Sequence, residues 1–162
     1  MGVEIHTNEV ETAIAPKRLF KALSVGSDQL FPKVLPGYVT NIHTLQGDGG
    51  AGTIKKTYYK EGDKEKYFTV EIMEIDEEKL AYKNKMFEGD MLGEKLASVI
   101  YEVSFVGKGD GDGCICKAKS VYHIKDGFVI TEEEINTDKE KWIQMVQLVQ
   151  NYLLQNPSTY AA

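Results

Sequence analysis

The chain has 162 residues, 42% hydrophobic and 27% charged, with 15 glycines and only 4 prolines, a balance that excludes fibrous and disordered classes and fits one globular domain spanning 1–162. Its formal net charge is -6 and its pI is near 5.1, which argues against broad electrostatic binding to nucleic acid or to an anionic membrane and favours small molecules as partners. No apolar run approaches the roughly 20 residues needed to cross a bilayer. The start, Met1-Gly-Val-Glu-Ile-His, has neither a basic nor an apolar leader region, so a cytoplasmic protein is expected.

Residues 3 to 12 set β-branched side chains between charges and predict a strand. The period then changes. Ala15-Pro16 puts proline at a first helical position, and Leu19, Phe20 and Leu23 follow at helical spacing. A second short helix is predicted from an N-cap at Ser27-Asp28, through Leu30, Phe31 and Val34, to a stop at Pro36-Gly37; Pro32 falls early enough in it to be tolerated.

From Tyr38 to His123 the pattern is of strands, at 38–45, 54–60, 66–75, 79–87, 97–106 and 114–123. The segments between them are turn-rich: 46–53, Glu61-Gly-Asp, Asp76-Glu-Glu, Glu88-Gly-Asp and 107–113. Such short connections permit antiparallel pairing but no parallel crossover, so with the first strand a sheet of about seven strands is expected. The last element is a long helix. Thr131 and Glu134 form a capping box, Ile130 and Ile135 a hydrophobic staple, and Asn156-Pro157 a stop. Trp142, Met145, Val146, Val149, Tyr152 and Leu153 give it one apolar face. One helix cannot cover the inner surface of such a sheet, which is therefore expected to curl around it.

The strand at 97–106 alternates Val99, Tyr101, Val103 and Phe105 with Ser98, Glu102 and Ser104. In 79–87 the matching inward set is Leu80, Tyr82, Asn84 and Met86, opposed to Lys83 and Lys85; Tyr67, Thr69 and Glu71 are expected to extend the polar thread through 66–75. A buried amide or phenol without a partner costs about 1–3 kcal/mol. Several on one apolar stripe call for protein partners, water or a ligand, and aromatic walls with a few polar groups describe a small-molecule pocket.

Cys114 and Cys116 share a strand face and are poorly placed for a disulfide; His6, His43 and His123 are scattered. Reduced packing thiols are expected, with no metal and no cofactor. The stretch Gln46-Gly-Asp-Gly-Gly-Ala-Gly-Thr matches G-x-G-x-x-G through Gly47, Gly49 and Gly52. A nucleotide site needs a helix next, and for a phosphate loop Lys-Ser or Lys-Thr directly after Gly52; Thr53-Ile-Lys-Lys-Thr-Tyr-Tyr stands there instead and reads as another strand. The glycines therefore predict a loop between antiparallel strands near one mouth of the pocket, with Lys55 available to an anionic ligand group.

Met1-Gly-Val, Arg18-Leu-Phe-Lys-Ala, Phe31-Pro-Lys-Val, Gly47-Asp-Gly-Gly-Ala-Gly-Thr-Ile-Lys-Lys, Phe87-Glu-Gly-Asp, Lys119-Ser-Val-Tyr-His and Asn151-Tyr-Leu-Leu, in this order, resemble the plant class-ten pathogenesis-related proteins, the family of the major birch-pollen allergen. The resemblance covers essentially the whole chain. It implies an α+β helix-grip fold: a seven-stranded antiparallel curved sheet wrapped around a long C-terminal helix, two short helices in a V, and an enclosed hydrophobic cavity. It also implies binding, storage or transport of small amphipathic plant molecules of cytokinin, flavonoid, steroid or phenolic type, associated with defence. The candidate ligand-binding residues are Lys55, Thr57, Tyr59, Tyr67, Thr69, Tyr82, Asn84, Met86, Val99, Tyr101, Asp138, Trp142 and Met145.

More distant relatives sense abscisic acid or form alkaloids, so an enzyme in the same cavity is the alternative, with Tyr82 or Tyr101 polarising a substrate and Glu71 or Asp138 moving a proton. Ribonuclease activity is also ascribed to the family. Lys55 and Tyr152 match its lysine and tyrosine, but Ala97 and Gln150 stand where its two glutamates would be, and neither can exchange a proton. A monomeric, non-enzymatic binding protein is expected.

Overall fold

The computed structural model describes residues 2–109 and 113–161. The centre of the turn expected at 107–113 lies outside the described residues. In chain order the elements are β1 (Gly2–Thr12), α1 (Pro16–Leu23), α2 (Ser27–Val34), β2 (Val39–Gln46), β3 (Ile54–Glu61), β4 (Lys64–Asp76), β5 (Ala81–Gly89), a single 3-10 turn (Asp90–Leu92), β6 (Leu96–Gly107), β7 (Cys114–Ile124) and α3 (Glu132–Gln155). The seven strands form one sheet in the order β1-β7-β6-β5-β4-β3-β2, with every neighbouring pair antiparallel.

The helix starts follow local chemistry. Pro16 opens α1, where its missing N–H costs nothing. Thr131 caps α3: its hydroxyl accepts from the Glu134 N–H at 3.1 Å, and Glu134 Oε1 accepts from the Thr131 N–H at 3.2 Å. The cap expected at Ser27 is displaced. Gly26 holds that position, with no side-chain cap, because the Ser27 hydroxyl donates backwards to the Ser24 carbonyl at 3.0 Å. Leu80, expected as the first inward residue of β5, instead lies in the preceding turn with φ 52° and still packs against the core.

The core occupies the space between the sheet and the helices in two clusters. One joins Leu19, Phe20 and Leu23 of α1, Leu30 of α2, Val103 and Phe105 of β6, Cys114 and Cys116 of β7, and Val146, Val149 and Leu153 of α3. The other joins Met86, Leu92, Val99, Tyr122 and Ile124 to Ile135 near the start of α3. The Asn8 amide ties α3 to edge strand β1 by donating to the Lys139 carbonyl at 3.1 Å. Both cysteines are free and buried, as expected, and burial pushes both thiols up.

The glycine loop between β2 and β3 folds back on β4. Gly52 N–H donates to the Ile72 carbonyl at 2.7 Å, and Ile72 N–H donates to the Thr53 carbonyl at 2.8 Å. Gly47 has φ 97°, and a Cβ there would stand 2.6 Å from Thr53 Cα; only glycine fits this approach.

Candidate functional site

Strand register sorts the inner face into three rows. Ile75, Tyr82, Val103, Ala118 and Asn8 lie in one, Val70, Met86, Val99, Tyr122 and Glu4 in another. Between them runs Ile72, Asn84, Tyr101, Ser120 and His6, a row that is polar after its first member. Asn84 and Tyr101 are register partners on adjacent strands, and both keep some accessible surface. Neither side chain has a hydrogen-bond partner among the described residues, although every fully buried side-chain polar atom there is satisfied. Burial raises the Tyr101 and Tyr82 phenols well above the ordinary tyrosine value, so both stay protonated donors at neutral pH.

Toward the start of α3 this face opens into a cleft of about 470 Å³, lined by residues 91–96, Tyr122, Ile130, Glu133, Glu134, Thr137 and Asp138. The Tyr122 hydroxyl donates to Asp138 Oδ2 at 3.4 Å, and the His6 ring meets Tyr122 edge-on at 5.8 Å. Asp138 keeps much of its surface accessible, but that surface is cleft wall; the surrounding protein raises its carboxyl above the ordinary value. Lys95 crosses the cleft mouth to Glu134 at 2.7 Å.

Of the sequence-predicted residues, register puts Lys55, Thr57, Tyr59, Tyr82, Asn84, Met86, Val99 and Tyr101 on the inner face. Trp142 and Met145 of α3 pack against the first cluster, which contains Tyr82. Asp138 lines the cleft and also bears on the Tyr101 phenol, so the cleft adjoins that part of the inner face. Tyr67 and Thr69 are corrected to the outer face. Strict alternation back from the inward Ile75 would have turned them in, but Met73 is an extra residue in β4, between the pairs Ile72 with Asn84 and Glu74 with Lys83. That bulge shifts the phase, so Phe68, Val70 and Ile72 face inward instead. On the outside the Lys56 ammonium sits 4.1 Å from the Tyr67 ring centroid, and the Thr69 hydroxyl donates to Glu88 at 3.0 Å. Glu71 is outside too, opposite Lys85, which removes it as a proton carrier in the interior.

Lys55 is also engaged. Its ammonium pairs with Asp28 of α2 at 2.7 Å. Gln150, at one position of the ribonuclease alternative, accepts the Ala13 N–H at 2.7 Å and serves as a structural tie. Sequence reasoning missed Ser120, Tyr122 and His6 as site residues. The signal for two of them was present: Ala118, Ser120 and Tyr122 alternate on the face that carries Cys116. Among the described residues no cluster of three metal-ligating side chains exists, and no helix is long and apolar enough to cross a membrane.

An open seven-stranded antiparallel sheet packed over one long helix, with Asn84, Tyr101, Ser120 and His6 in a row along its inner face, defines a sheet-over-helix fold of the α+β class. The pattern of the Pathogenesis-related protein Bet v 1 family matches residues 1–156, and the chain belongs to that family. It is similar to pathogenesis-related protein STH-2 of Solanum tuberosum, with 45% identity over 99% of this chain and 100% of the relative. With the major strawberry allergen Fra a 1.04 of Fragaria ananassa the identity is 40%, over 99% of both chains. Among solved structures, the crystal structure of Ara h 8.0201 superposes with a TM-score of 0.86 at 30% identity, covering 95% of this chain and 99% of that one. Norcoclaurine synthase from Thalictrum flavum superposes with 0.77 at 25% identity, covering 94% and 87%.

Proposed function

We propose that this protein binds, stores or transports a small amphipathic plant metabolite of cytokinin, flavonoid, steroid or phenolic type, in the cytoplasm and in the setting of defence. One observation carries the reading. Asn84 and Tyr101 lie side by side on the inner face, both without a hydrogen-bond partner among the described residues and both flanked by apolar rows. Both keep accessible surface, so the polar group of a ligand can reach them. A planar or polycyclic body lies against Met86, Val99, Tyr82 and Met145, while its hydroxyl or carbonyl engages the amide and the phenol. The bare pathogenesis-related and allergen names of the relatives fit a container and name no ligand. Trp142, the single tryptophan, packs against the core cluster that includes Tyr82, so its fluorescence serves as the probe. Titration with a panel of cytokinins, flavonoids, steroids and simple phenols is expected to change its fluorescence saturably with at least one class. A flat response throughout, with no displacement of an environment-sensitive dye, refutes the proposal.

A second reading, an enzyme of specialised metabolism, draws on Tyr122 and Asp138. A phenol beside a carboxyl whose pKa is raised is a pair able to pass a proton at the cleft. The similarity to a norcoclaurine synthase supports it at the level of fold and family. Conversion of a bound ligand that stops in Asp138→Asn would favour the enzyme; ligands recovered unchanged after long incubation would leave the container.

A further inference from the structure

The segment after α3 is bound back onto the two short helices. Arg18 of α1 donates through Nη2 to the carbonyls of Leu153, at 2.7 Å, and Asn156, at 2.8 Å, and through Nε to that of Thr159 at 2.8 Å. The Leu153 and Asn156 carbonyls are acceptors that the end of α3 leaves unsatisfied, and a cation suits the negative end of the helix dipole. One turn further on, Tyr160 adopts φ 56°, a left-handed conformation that a bulky residue keeps only when its surroundings hold it there. Its hydroxyl donates to the Gly26 carbonyl at 3.2 Å, and its ring lies so close over Gly26 that a Cβ at that residue would stand 2.4 Å from it.

Gly26 is where α2 begins; its carbonyl also accepts the Leu30 N–H at 3.0 Å. Tyr160 therefore grips α2 at its first turn, the same turn from which Asp28 reaches Lys55 on the inner face of β3. Beyond that turn α2 is held more loosely. Only Leu30 of its eight residues is buried, whereas Phe31 and Val34, and Trp142, Met145 and Tyr152 of α3, keep accessible surface although they pack on one core cluster. The apolar seam between α2 and α3 is incompletely sealed and is closed by polar ties at one end.

We propose that residues 157–161 form a strap, and that release of Tyr160 from Gly26 lets α2 swing from α3 and opens this seam as the passage through which a small molecule exchanges with the interior. The passage rests on the reading that the interior takes a ligand; the strap does not. Gly26 has φ -89° and ψ -4°, which alanine adopts freely, so Gly26→Ala disturbs the tyrosine and little else.

The test compares the unmodified chain with Gly26→Ala, Tyr160→Ala and the double variant. It uses 8-anilinonaphthalene-1-sulfonate as the probe, stopped-flow release rates, and amide hydrogen exchange of residues 27–34. Each single substitution is expected to speed both binding and release about threefold to tenfold, as for loss of one neutral hydrogen bond with its packing, while Kd changes less than about twofold. The double variant adds nothing further, since both substitutions break one contact, and exchange in α2 accelerates while that of β7 does not. Unchanged exchange in α2 overturns the strap. Faster exchange with unchanged release rates overturns the passage. An unmodified chain that binds no probe refutes the ligand reading and the passage with it, a result visible without any variant, and α2 exchange then decides the strap alone.

Discussion

Asp28, in the first turn of α2, holds the Lys55 ammonium of β3 at 2.7 Å, and the lysine side chain retains only 13% of its accessible surface against 35% for the aspartate. The residue that the glycine loop placed beside the pocket as an anion receptor thus already has its anion, supplied from 27 positions earlier in the chain.

That asymmetry orders two substitutions. Asp28→Asn strands an enclosed ammonium and is expected to destabilise the fold by about 1–3 kcal/mol, the cost of a buried polar group losing its partner. Lys55→Met leaves a carboxylate that water reaches more easily, and costs less. Urea unfolding of both variants checks the order, and the reverse ranking would mean that the pair is not the constraint on Lys55.

Asn84→Leu and Tyr101→Phe separate binding from stability. Neither side chain has a hydrogen bond to lose among the described residues, so unfolding free energies are expected to stay within about 0.5 kcal/mol of the parent. Affinity for a hydroxylated ligand falls by about 0.5–1.5 kcal/mol for each, roughly twofold to tenfold. Calorimetric titration beside thermal unfolding measures both. Equal losses in stability would assign the two groups to the core instead.

In the glycine loop, Gly47 and Gly49 both have positive φ, 97° and 103°, but only at Gly47 does an added Cβ meet backbone, 2.6 Å from Thr53 Cα. Gly49→Ala is expected to cost about 1–2 kcal/mol for the left-handed conformation alone. Gly47→Ala costs more, because β3 must shift as well, and chemical denaturation resolves the difference.

Glu134 and Asp138, one helical turn apart, titrate in opposite senses. The hydrogen bond from Lys95, followed by that from the Thr131 N–H, lowers the Glu134 pKa below its ordinary 4.5. Its contribution to stability is therefore present above that value and lost as pH falls through the folded pKa. Burial raises the Asp138 pKa above its ordinary 3.8, so the folded state holds that proton more tightly. Its contribution is complete below that ordinary value and is lost as pH rises through the folded pKa. At pH 7, Asp138→Asn is expected to raise the melting temperature and Glu134→Gln to lower it. Melting curves from pH 3 to 7 check both signs.

Much of this fold is legible in the sequence because its periods are clean. Val99, Tyr101, Val103 and Phe105 alternate without interruption and β6 follows, and the Thr131 and Glu134 box fixes where α3 begins. The inner face of β5 from Tyr82 to Met86 is legible for the same reason. The face of β4 is not. Its bulge falls at Met73, where no glycine or proline marks it, and one uncounted residue sends Tyr67 and Thr69 to the wrong side. The cleft was hidden for another reason: it joins a 3-10 turn to the first turns of α3, and no period links residue 91 to residue 138. The Asp28 and Lys55 pair is likewise a product of tertiary packing. Each charge taken alone is an ordinary surface group.

The strand order carries a consequence for how the chain is made. Of the seven described strands β1 leaves the ribosome first, yet among the described residues its one neighbour in the sheet is β7, with Gly2 opposite Ile124. The strands from β2 to β7 can zip as successive hairpins while synthesis continues, but β1 has nothing to pair with until the last of them exists, and α3 emerges later still. For most of translation β1 is an unpaired strand, and a chain halted before Cys114 has no partner strand to cover its backbone edge. Nascent chains stalled on either side of residues 114–124 should therefore differ sharply in their dependence on chaperones.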